Sequence, residues 1–512
     1  MRIEYHKVDT LPPLSWCAQI MKDNDSVLLF HGNQLETAHN YFIEGAWNDH
    51  FELGNIINTT IICGTGAALF DNEISFTGST DRLSPLFSIQ QGDNVYISNS
   101  PVFAMSLAGE KPDMLYPYYS FDIVRIWRQG TYCLSGKLKT KSSSPLRVHF
   151  GTIISINNSL EIKYKTHLPG ECPNDYSSYK SILSNGIKRI FENANSVYRN
   201  IKCTPISAIS RGYDSCATAA LASKAGCKDA FTFSNSRNSK PNTDNGAQIA
   251  QIMGLDCTVH DRWGYLDKRD LVEAETGIFT FSANTPLSIL ENDLRNRILV
   301  TGTLGDTIWG KKKAAVYGNH SQPWMRHISG LGSIELRLRV GFTIFAPAYI
   351  SSSFHNKIHQ ITMSENMSKW SVGGNYDRPI PRRIVEEAGV PRNVFGMVKS
   401  ANGHVSYNKN KNFTKVGMDS YHKFYNNMYS TEPFLKYALS FMMAYGRNIF
   451  WSLFSSSRNR IVSSSKLQRL FPFILNAKPH NIPWKFMFMF QWAFESIKDR
   501  YKITDNIIKS KE

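Results

Sequence analysis

The chain has 512 residues, of which 42% are hydrophobic and 20% charged, and its formal net charge is +16. This length predicts two or three domains with full cores, and the composition belongs to the ordinary globular class. The first residues have no apolar core of signal-peptide length, and no run approaches about eighteen uninterrupted apolar residues. These features argue against a signal peptide and a transmembrane segment, so we expect a soluble, cytoplasmic protein.

Cysteine spacing and charge distribution narrow the chemistry further. The eight cysteines form no CxxC pair and no metal-ligand spacing, so we expect reduced, mostly buried thiols. Most of the net positive charge lies after Ala401. This basic region either binds an anionic partner or forms a solvated face, and the sequence leaves both alternatives open.

Residues 1–172 are predicted to form a β-rich domain, because short apolar runs such as VLLF, TTIICG and NVYIS alternate there with Gly, Asn and Asp. In residues 173–405, strand-like and helix-like runs alternate. Residues 406–512 are predicted to be a basic, aromatic-rich helical extension. Its aromatic stripes face either a protein core or, alternatively, a membrane surface or polyanion.

The stretch from Thr204 to Gly226 predicts a strand, a tight loop and a helix. Ser210, Ser215 and the free backbone N–H groups at the start of the helix converge where the helix dipole favours an anion such as phosphate. Asp214 would repel a phosphate unless a divalent cation lay between them, and carboxylate oxygens are ligands for Mg²⁺. The residues therefore point to a magnesium–nucleotide complex.

Ser210 to Ser215 (SRGYDS) resembles SGGxDS, the pyrophosphate loop of N-type ATP pyrophosphatases, and its surroundings resemble the synthetase domain of asparagine synthetases. Arg211 replaces the family's first glycine, which is required only if the φ angle there is positive. The resemblance implies an α/β fold with a parallel-sheet ATP-pyrophosphatase domain of the adenine nucleotide α-hydrolase kind. It implies that ATP is bound by Ser210, Arg211, Gly212, Asp214 and Ser215, with Mg²⁺ on Asp214.

After Gly226, the runs DAFTFSNS and CTVHDR predict two more strands, and DNGAQIAQIMGL between them predicts a helix. Alternating strands and helices indicate a parallel sheet that is covered on both faces. Ligands bind such sheets at the carboxyl ends of the strands, where both Asp214 and Ser234 fall. We therefore include Ser234 in the predicted nucleotide site.

The segment Arg297–Lys312 begins with a buried strand and continues as GTLGDTIWG. It resembles SGEGxDExFxG of asparagine synthetases, with Gly302 and Asp306 retained, whereas Thr303 and Thr307 replace two glutamates. The resemblance implies that Gly302 lies in the nucleotide site and that Asp306 is a second carboxylate for the magnesium ion of the loop. Because threonine replaces both glutamates, the identity of the substrate stays open, and so does the question whether it is aspartate.

Two other patterns have competing interpretations. Gly305–Lys311 fits the GxxxxGK of a P-loop, but no Ser or Thr follows it and Trp309 is bulky for a phosphate cradle, so we do not expect a kinase-type site. His355 and His359 share one helical face, yet Asn356 stands where a zinc protease has glutamate. We interpret these histidines as structural.

The resemblance continues in two later segments. GSIELR is similar to the family's GxExRxPF, which implies that Glu335 lines the acceptor pocket as a substrate-binding or proton-handling residue. Arg337 is expected to have the same role or, alternatively, to form an ordinary surface pair with a neighbouring glutamate on an exposed strand. Tyr376 to Pro381 (YDRPIP) and the later GVPRNVFGMVKSA are similar to a family segment that ends in a lysine facing the phosphates. Lys399 is therefore predicted to be catalytic, with a solvated loop lysine as the alternative.

Gly78 to Met105 is similar to a segment of glutamine-hydrolysing asparagine synthetases that reads DRxGxxPLxY and then FASE. In that family, the nucleophile is an N-terminal cysteine, whereas residue 2 here is Arg, and Cys17 lacks the α-amine that acts as the base. The resemblance implies a degenerate Ntn-like glutaminase domain without its own activity. The nitrogen is then expected from free ammonia, an amine substrate or a separate glutaminase.

The resemblance as a whole implies an AMP-forming synthetase that activates a small-molecule carboxylate with ATP and transfers ammonia or an amine to it. The family's occurrence in surface-polysaccharide pathways makes a sugar acid an attractive acceptor. Two alternatives remain open: an enzyme that adenylates a tRNA base, which would suit the basic C-terminal region, and a catalytically silent nucleotide-binding scaffold.

Overall fold

The computed structural model describes residues 1–70, 72–120, 122–123, 126, 136–142, 144–235, 244–279, 282–311, 331–374, 376–396, 405–407, 410–431, 442 and 487–503. The elements of the N-terminal part are β1 Arg2–Lys7, β2 Trp16–Met21, β3 Ser26–His31, β4 Glu36–Thr37, β5 Tyr41–Trp47, β6 Ile62–Phe70, β7 Glu73–Thr77, β8 Leu86–Gln91, β9 Asn94–Ser98, α1 Pro101–Leu107, β10 Gly136–Leu138, β11 Leu146–His149, β12 Thr152–Asn157 and β13 Ile162–Thr166.

These strands form two sheets that pack face to face. One sheet has the order β1-β3-β2-β9-β8-β11-β10 and the other β13-β12-β7-β6-β5-β4. All pairs are antiparallel except β1 with β3. Trp16 of the first sheet packs against Phe42 and Phe76 of the second, with ring centroids 4.9 and 6.0 Å apart. The predicted β-rich character of this part is confirmed.

The elements that follow are α2 Tyr176–Ala194, β14 Thr204–Ala208, α3 Tyr213–Lys224, β15 Asp229–Phe233, α4 Ala247–Ile252, β16 Asp256–His260, α5 Val272–Gly277, β17 Ser282–Ala283, α6 Glu291–Leu294, β18 Arg297–Val300, α7 Gly305–Ile308, α8 Ile334–Val340, β19 Phe342–Phe345, α9 His355–Met363, α10 Pro379–Glu387, β20 Val405–Ser406, α11 Lys415–Thr431 and α12 Met489–Ile497. Among the described residues, no helix has both the length and the apolar character needed to cross a membrane.

A five-stranded parallel sheet with the order β16-β15-β14-β18-β19 forms the centre of this part. Buried residues of α2 and α3 cover one face, and residues of α6 and α8 cover the other. The predicted mixed α/β architecture and its parallel sheet are therefore confirmed. The chain runs outward from β14 in one direction as far as β16 and then returns to β18 on the other side. The carboxyl ends of β14 and β18 thus flank the topological switch point, where ligands bind in open α/β sheets.

The described C-terminal residues pack into the same core as the first N-terminal sheet. The ring of Phe490 in α12 lies 4.6 Å from that of Tyr119, and Tyr501 stacks on Phe103 at 5.1 Å. Nearly all of α12 is buried, which is what the core-facing interpretation of its aromatic stripe predicts. The two boundaries between the three predicted domains remain a prediction.

Helix α8 joins the parallel-sheet part to the N-terminal sheets through a buried ion pair. Arg337 donates two hydrogen bonds to Glu44 of β5, at 2.5 and 3.0 Å, and the two side chains are 2% and 0% exposed. One predicted alternative for Arg337 was an ordinary ion pair on an exposed strand, and that alternative is wrong. The residue lies on a helix, and its partner comes from a distant strand.

Candidate active site

The loop between β14 and α3 places the predicted phosphate-binding residues at the switch point. The hydroxyl oxygens of Ser210 and Ser215 lie 2.7 Å apart, and the backbone N–H of Gly212 donates to Ser210 Oγ at 3.1 Å. Gly212 is the N-cap residue of α3. The first N–H groups of a helix have no carbonyl acceptor within the helix, and those of α3 face the loop. Hydroxyl groups and a helix N-terminus therefore meet at one point, as an anion site requires.

The segment after β18 approaches the start of α3 so closely that two positions must be glycine. A Cβ atom built on Gly302 would lie 2.4 Å from the backbone nitrogen of Ser215, and one on Gly305 would lie 2.7 Å from the carboxylate of Asp214. Between them, Leu304 has a φ angle of 70°, a conformation that non-glycine residues rarely adopt. This contact brings Asp306, in the first turn of α7, beside the loop that carries Asp214.

An arginine that we did not predict as a site residue pairs with the predicted metal ligand. Arg378, which caps α10, donates through Nη1 to Asp214 Oδ2, and its guanidinium lies 5.0 Å from the ring centroid of Tyr376. Burial lowers the pKa of Arg378, but the charge of Asp214, with a smaller contribution from Asp306, raises it overall. The two predicted metal ligands thus share one positive neighbour.

Arg211 ties the loop to the turn that follows α10. Its Nε donates to the carbonyl of Val394 at 3.2 Å, and its own carbonyl accepts from the backbone N–H of Gly396 at 2.8 Å. Gly396 has a positive φ angle and lies against the ring of Tyr213, leaving no room for a side chain. Arg211, at the position where the SGGxDS motif has glycine, therefore has a structural role in holding this turn.

Ser234 follows β15, at the carboxyl edge of the sheet as predicted. Its backbone N–H and its hydroxyl both donate to the carbonyl of His260, at 2.9 and 3.3 Å. The residue that packs directly on the loop is Gly246, whose Cβ position would lie 3.0 Å from the backbone nitrogen of Ser210. Ser234 thus lies on the right edge, but its hydrogen bonds go to the neighbouring strand.

The segment that begins with α7 is held by contacts that do not suit a P-loop. Trp309 is buried and donates to the hydroxyl of Tyr179 at 3.0 Å. The Nε2 atoms of His355 and His359 lie 3.3 and 3.1 Å from the carbonyl oxygens of Thr307 and Lys311. These contacts support the structural interpretation of both histidines.

Lys311 Nζ lies 2.8 Å from a carboxylate oxygen of Asp377, one residue before Arg378. Burial opposes ionisation of Asp377, but hydrogen bonds from Lys311, Ser371 and two backbone N–H groups lower its pKa overall. This ion pair fixes the start of α10 relative to α7. The position of Arg378 is therefore set by the same segment that carries Asp306.

The carboxylates at the switch point match in number what Mg²⁺ takes from a protein when it binds together with phosphate. Within the described parts of the chain, no three His, Cys, Asp or Glu side chains cluster as a complete metal site. Mg²⁺ typically takes only one or two protein carboxylates and fills its other positions with phosphate oxygens and water. Asp214 and Asp306 are such a pair, so the fit depends on phosphate oxygens arriving with the metal.

Glu335 occupies a different setting from the one we predicted for an acceptor pocket. Its carboxylate accepts hydrogen bonds from Ser100 of the N-terminal part, at 2.7 Å, and from the hydroxyl of Tyr501. The side chain is 2% exposed, and its described hydrogen bonds join three distant parts of the chain. Burial raises its pKa to about 7, although both hydrogen bonds act in the opposite direction. A role for Glu335 in catalysis stays a prediction, and Lys399 lies outside the described residues.

The raised pKa of Glu335 predicts a pH-dependent stability. Its pKa rises from an ordinary 4.5 to about 7 on folding, so the folded chain holds a proton that the unfolded chain releases. This contribution is fully present below pH 4.5 and is lost as the pH rises to about 7, at a cost of about 3 kcal/mol. Glu335→Gln cannot ionise and is expected to remove this part of the slope.

Urea denaturation of wild type and Glu335→Gln between pH 5 and 8 measures the difference. We expect the variant to gain stability relative to the wild type as the pH rises. A constant difference across this range would show that Glu335 does not titrate between these pH values.

No protein-family model matches the chain, and no curated protein is significantly similar to it in sequence. The classification supported by the structure is therefore a mixed α/β protein with a five-stranded parallel sheet and two packed, mainly antiparallel sheets.

Proposed function

We propose that this protein is an ATP-dependent carbon–nitrogen ligase of the asparagine synthetase type, with an ATP-pyrophosphatase domain and a degenerate Ntn-like domain. A carboxylate oxygen of the substrate attacks the α-phosphorus of ATP, and the bond to pyrophosphate breaks. Ammonia or an amine then attacks the acyl-adenylate, a proton leaves the nitrogen, and AMP departs as the amide forms. The cytoplasm is the proposed compartment.

One observation carries the proposal: two segments predicted separately from sequence meet at the switch point of the parallel sheet. The loop with Ser210 and Asp214 follows β14, and Gly302 to Asp306 follows β18 and packs against the same helix terminus. An ordinary strand-to-helix turn requires no such convergence. Nucleotide binding at a switch point is typical of open α/β sheets.

Each residue in the site has a proposed task. Ser210, Ser215 and the first N–H groups of α3 bind pyrophosphate oxygens. Asp214 and Asp306 hold Mg²⁺, which would stabilise the charge that develops on the leaving pyrophosphate. The hydroxyl of Thr301 donates to that of Thr303 at 2.9 Å after β18, so this contact does not select an acceptor. The sugar acid is proposed as the carboxylate on the family resemblance alone.

The test is to incubate the full chain with Mg-ATP, ammonium and a panel of sugar acids and amino acids, and to separate the nucleotides. AMP and pyrophosphate that depend on one carboxylate would support the proposal. Replacing ammonium with glutamine separates ammonia use from glutaminase activity, and we expect glutamine to fail. ADP as product would refute attack at the α-phosphorus. ATP binding without turnover of any carboxylate would indicate the silent nucleotide-binding scaffold, and salt-sensitive RNA binding would favour the tRNA-modifying alternative.

A further inference from the structure

The pairing of Arg378 with Asp214 places a positive charge where a magnesium ligand is expected. The side chains of Arg378 and Asp214 are 7% and 19% exposed, so water screens this pair only partly. Asp306 also acts electrostatically on Arg378. The two carboxylates therefore already have a counter-ion in the chain itself.

The backbone of Arg378 is held in place by its neighbours, so a rearrangement of this residue involves its side chain alone. Pro379 begins α10 immediately after it, and Arg382 of that helix is buried and donates to the hydroxyl of Tyr213 in α3. The neighbouring Asp377 pairs with Lys311. The guanidinium thus extends from a backbone that is anchored to the phosphate-binding helix on one side and to the α7 segment on the other.

Charge balance distinguishes a bare metal ion from a metal–nucleotide complex. A divalent cation that entered alone would meet Asp214 and Asp306 but would also lie close to the guanidinium, and like charges at short range repel. A nucleotide brings several negative charges, and its phosphate oxygens are preferred partners of arginine. The charges of the site therefore favour binding of the cation only when phosphate groups bind together with it.

We propose that Arg378 is an exchangeable counter-ion, which pairs with Asp214 and excludes the divalent cation until the phosphates of the nucleotide take up its guanidinium. The second half of this inference rests on the proposed function, because it requires that a nucleotide binds here. Arg378 thereby couples metal binding to nucleotide binding. The first half concerns the metal alone and can be measured without substrate.

The experiment titrates Mn²⁺ alone into the full chain and follows free Mn²⁺ by electron paramagnetic resonance. Arg378→Gln is expected to bind Mn²⁺ at least about tenfold more tightly than the wild type, because a neighbouring positive charge is gone. Arg378→Lys keeps the charge and is expected to resemble the wild type. The double variant Asp214→Asn/Arg378→Gln is expected to lose the gain.

Arg378→Ala is measured as a second neutral variant, and circular dichroism checks that each variant is folded. If one of the two does not fold, the other still provides the test. Equal Mn²⁺ affinity in the wild type and these neutral variants would overturn the proposal. Equal gains in the single and double variants would also overturn it, because the metal would then bind elsewhere. A gain that depends on Asp214, together with no ATP binding by the wild type, would uphold metal exclusion and refute the proposed ligase.

Discussion

Asp214→Asn is expected to lower the rate of AMP formation by at least about 100-fold, because the site loses a charged magnesium ligand beside the leaving pyrophosphate. Asp214 lies in the first turn of α3, against Gly305 and paired with Arg378. An amide of the same size keeps the shape of this contact but not its charge. The measurement is the initial rate of AMP release with the carboxylate that the product assay identifies.

The matched control is Asp270→Asn, which removes one carboxylate from an exposed position outside the site. We expect this variant to keep the wild-type rate. Thermal unfolding of both variants separates loss of chemistry from loss of folding. If folded Asp214→Asn retained most of its activity, Asp214 would not be a magnesium ligand.

Arg337→Met is expected to lower the free energy of unfolding by about 3–5 kcal/mol, because it leaves the Glu44 carboxylate buried without its counter-ion. Glu44 is fully buried in β5, and its other donors among the described residues are the hydroxyl of Thr65 at 2.8 Å and the amide of Asn99 at 3.4 Å. Two neutral donors do not replace a guanidinium that makes two hydrogen bonds. Urea denaturation followed by circular dichroism measures the loss.

The double variant Glu44→Leu/Arg337→Met provides the decisive comparison. Replacing both members of a buried ion pair with apolar side chains is often neutral, so we expect this variant to recover much of the stability. Arg295→Met, at an exposed position, controls for the loss of an arginine and is expected to change little. If Arg337→Met and Arg295→Met were equally stable, the buried pair would contribute nothing.

Four strands of the parallel sheet, β14, β15, β16 and β18, could be predicted from sequence because their signals are local. The strand, loop and helix around Ser210 to Ser215 are encoded by consecutive residues, and so is the strand that precedes Gly302. Their convergence at the switch point then followed from the general behaviour of parallel sheets. This part of the prediction needed no knowledge of distant contacts.

Other parts of the site depend on contacts that no local pattern encodes. Arg378 meets Asp214 across 164 residues, and its segment YDRPIPRR has no feature that distinguishes this arginine from its neighbours. Glu335 was assigned to an acceptor pocket by resemblance, whereas its hydrogen bond to Ser100 spans 235 residues. Partners of this kind are decided by how whole layers pack, so a sequence motif alone does not specify them.

Some contacts in the core join residues that are far apart in sequence, and this affects how the chain folds. Gln491 in α12 donates to the carbonyl of Tyr116, 375 residues earlier, and Arg337 meets Glu44 across 293 residues. Contacts so far apart in sequence form slowly, because a long loop must close before they bring any gain. During synthesis, aromatic side chains of the N-terminal part that pack on the C-terminal residues, such as Phe103 and Tyr119, stay exposed until the ribosome has released the residues around α12. Nascent chains that expose such a face are typical chaperone clients.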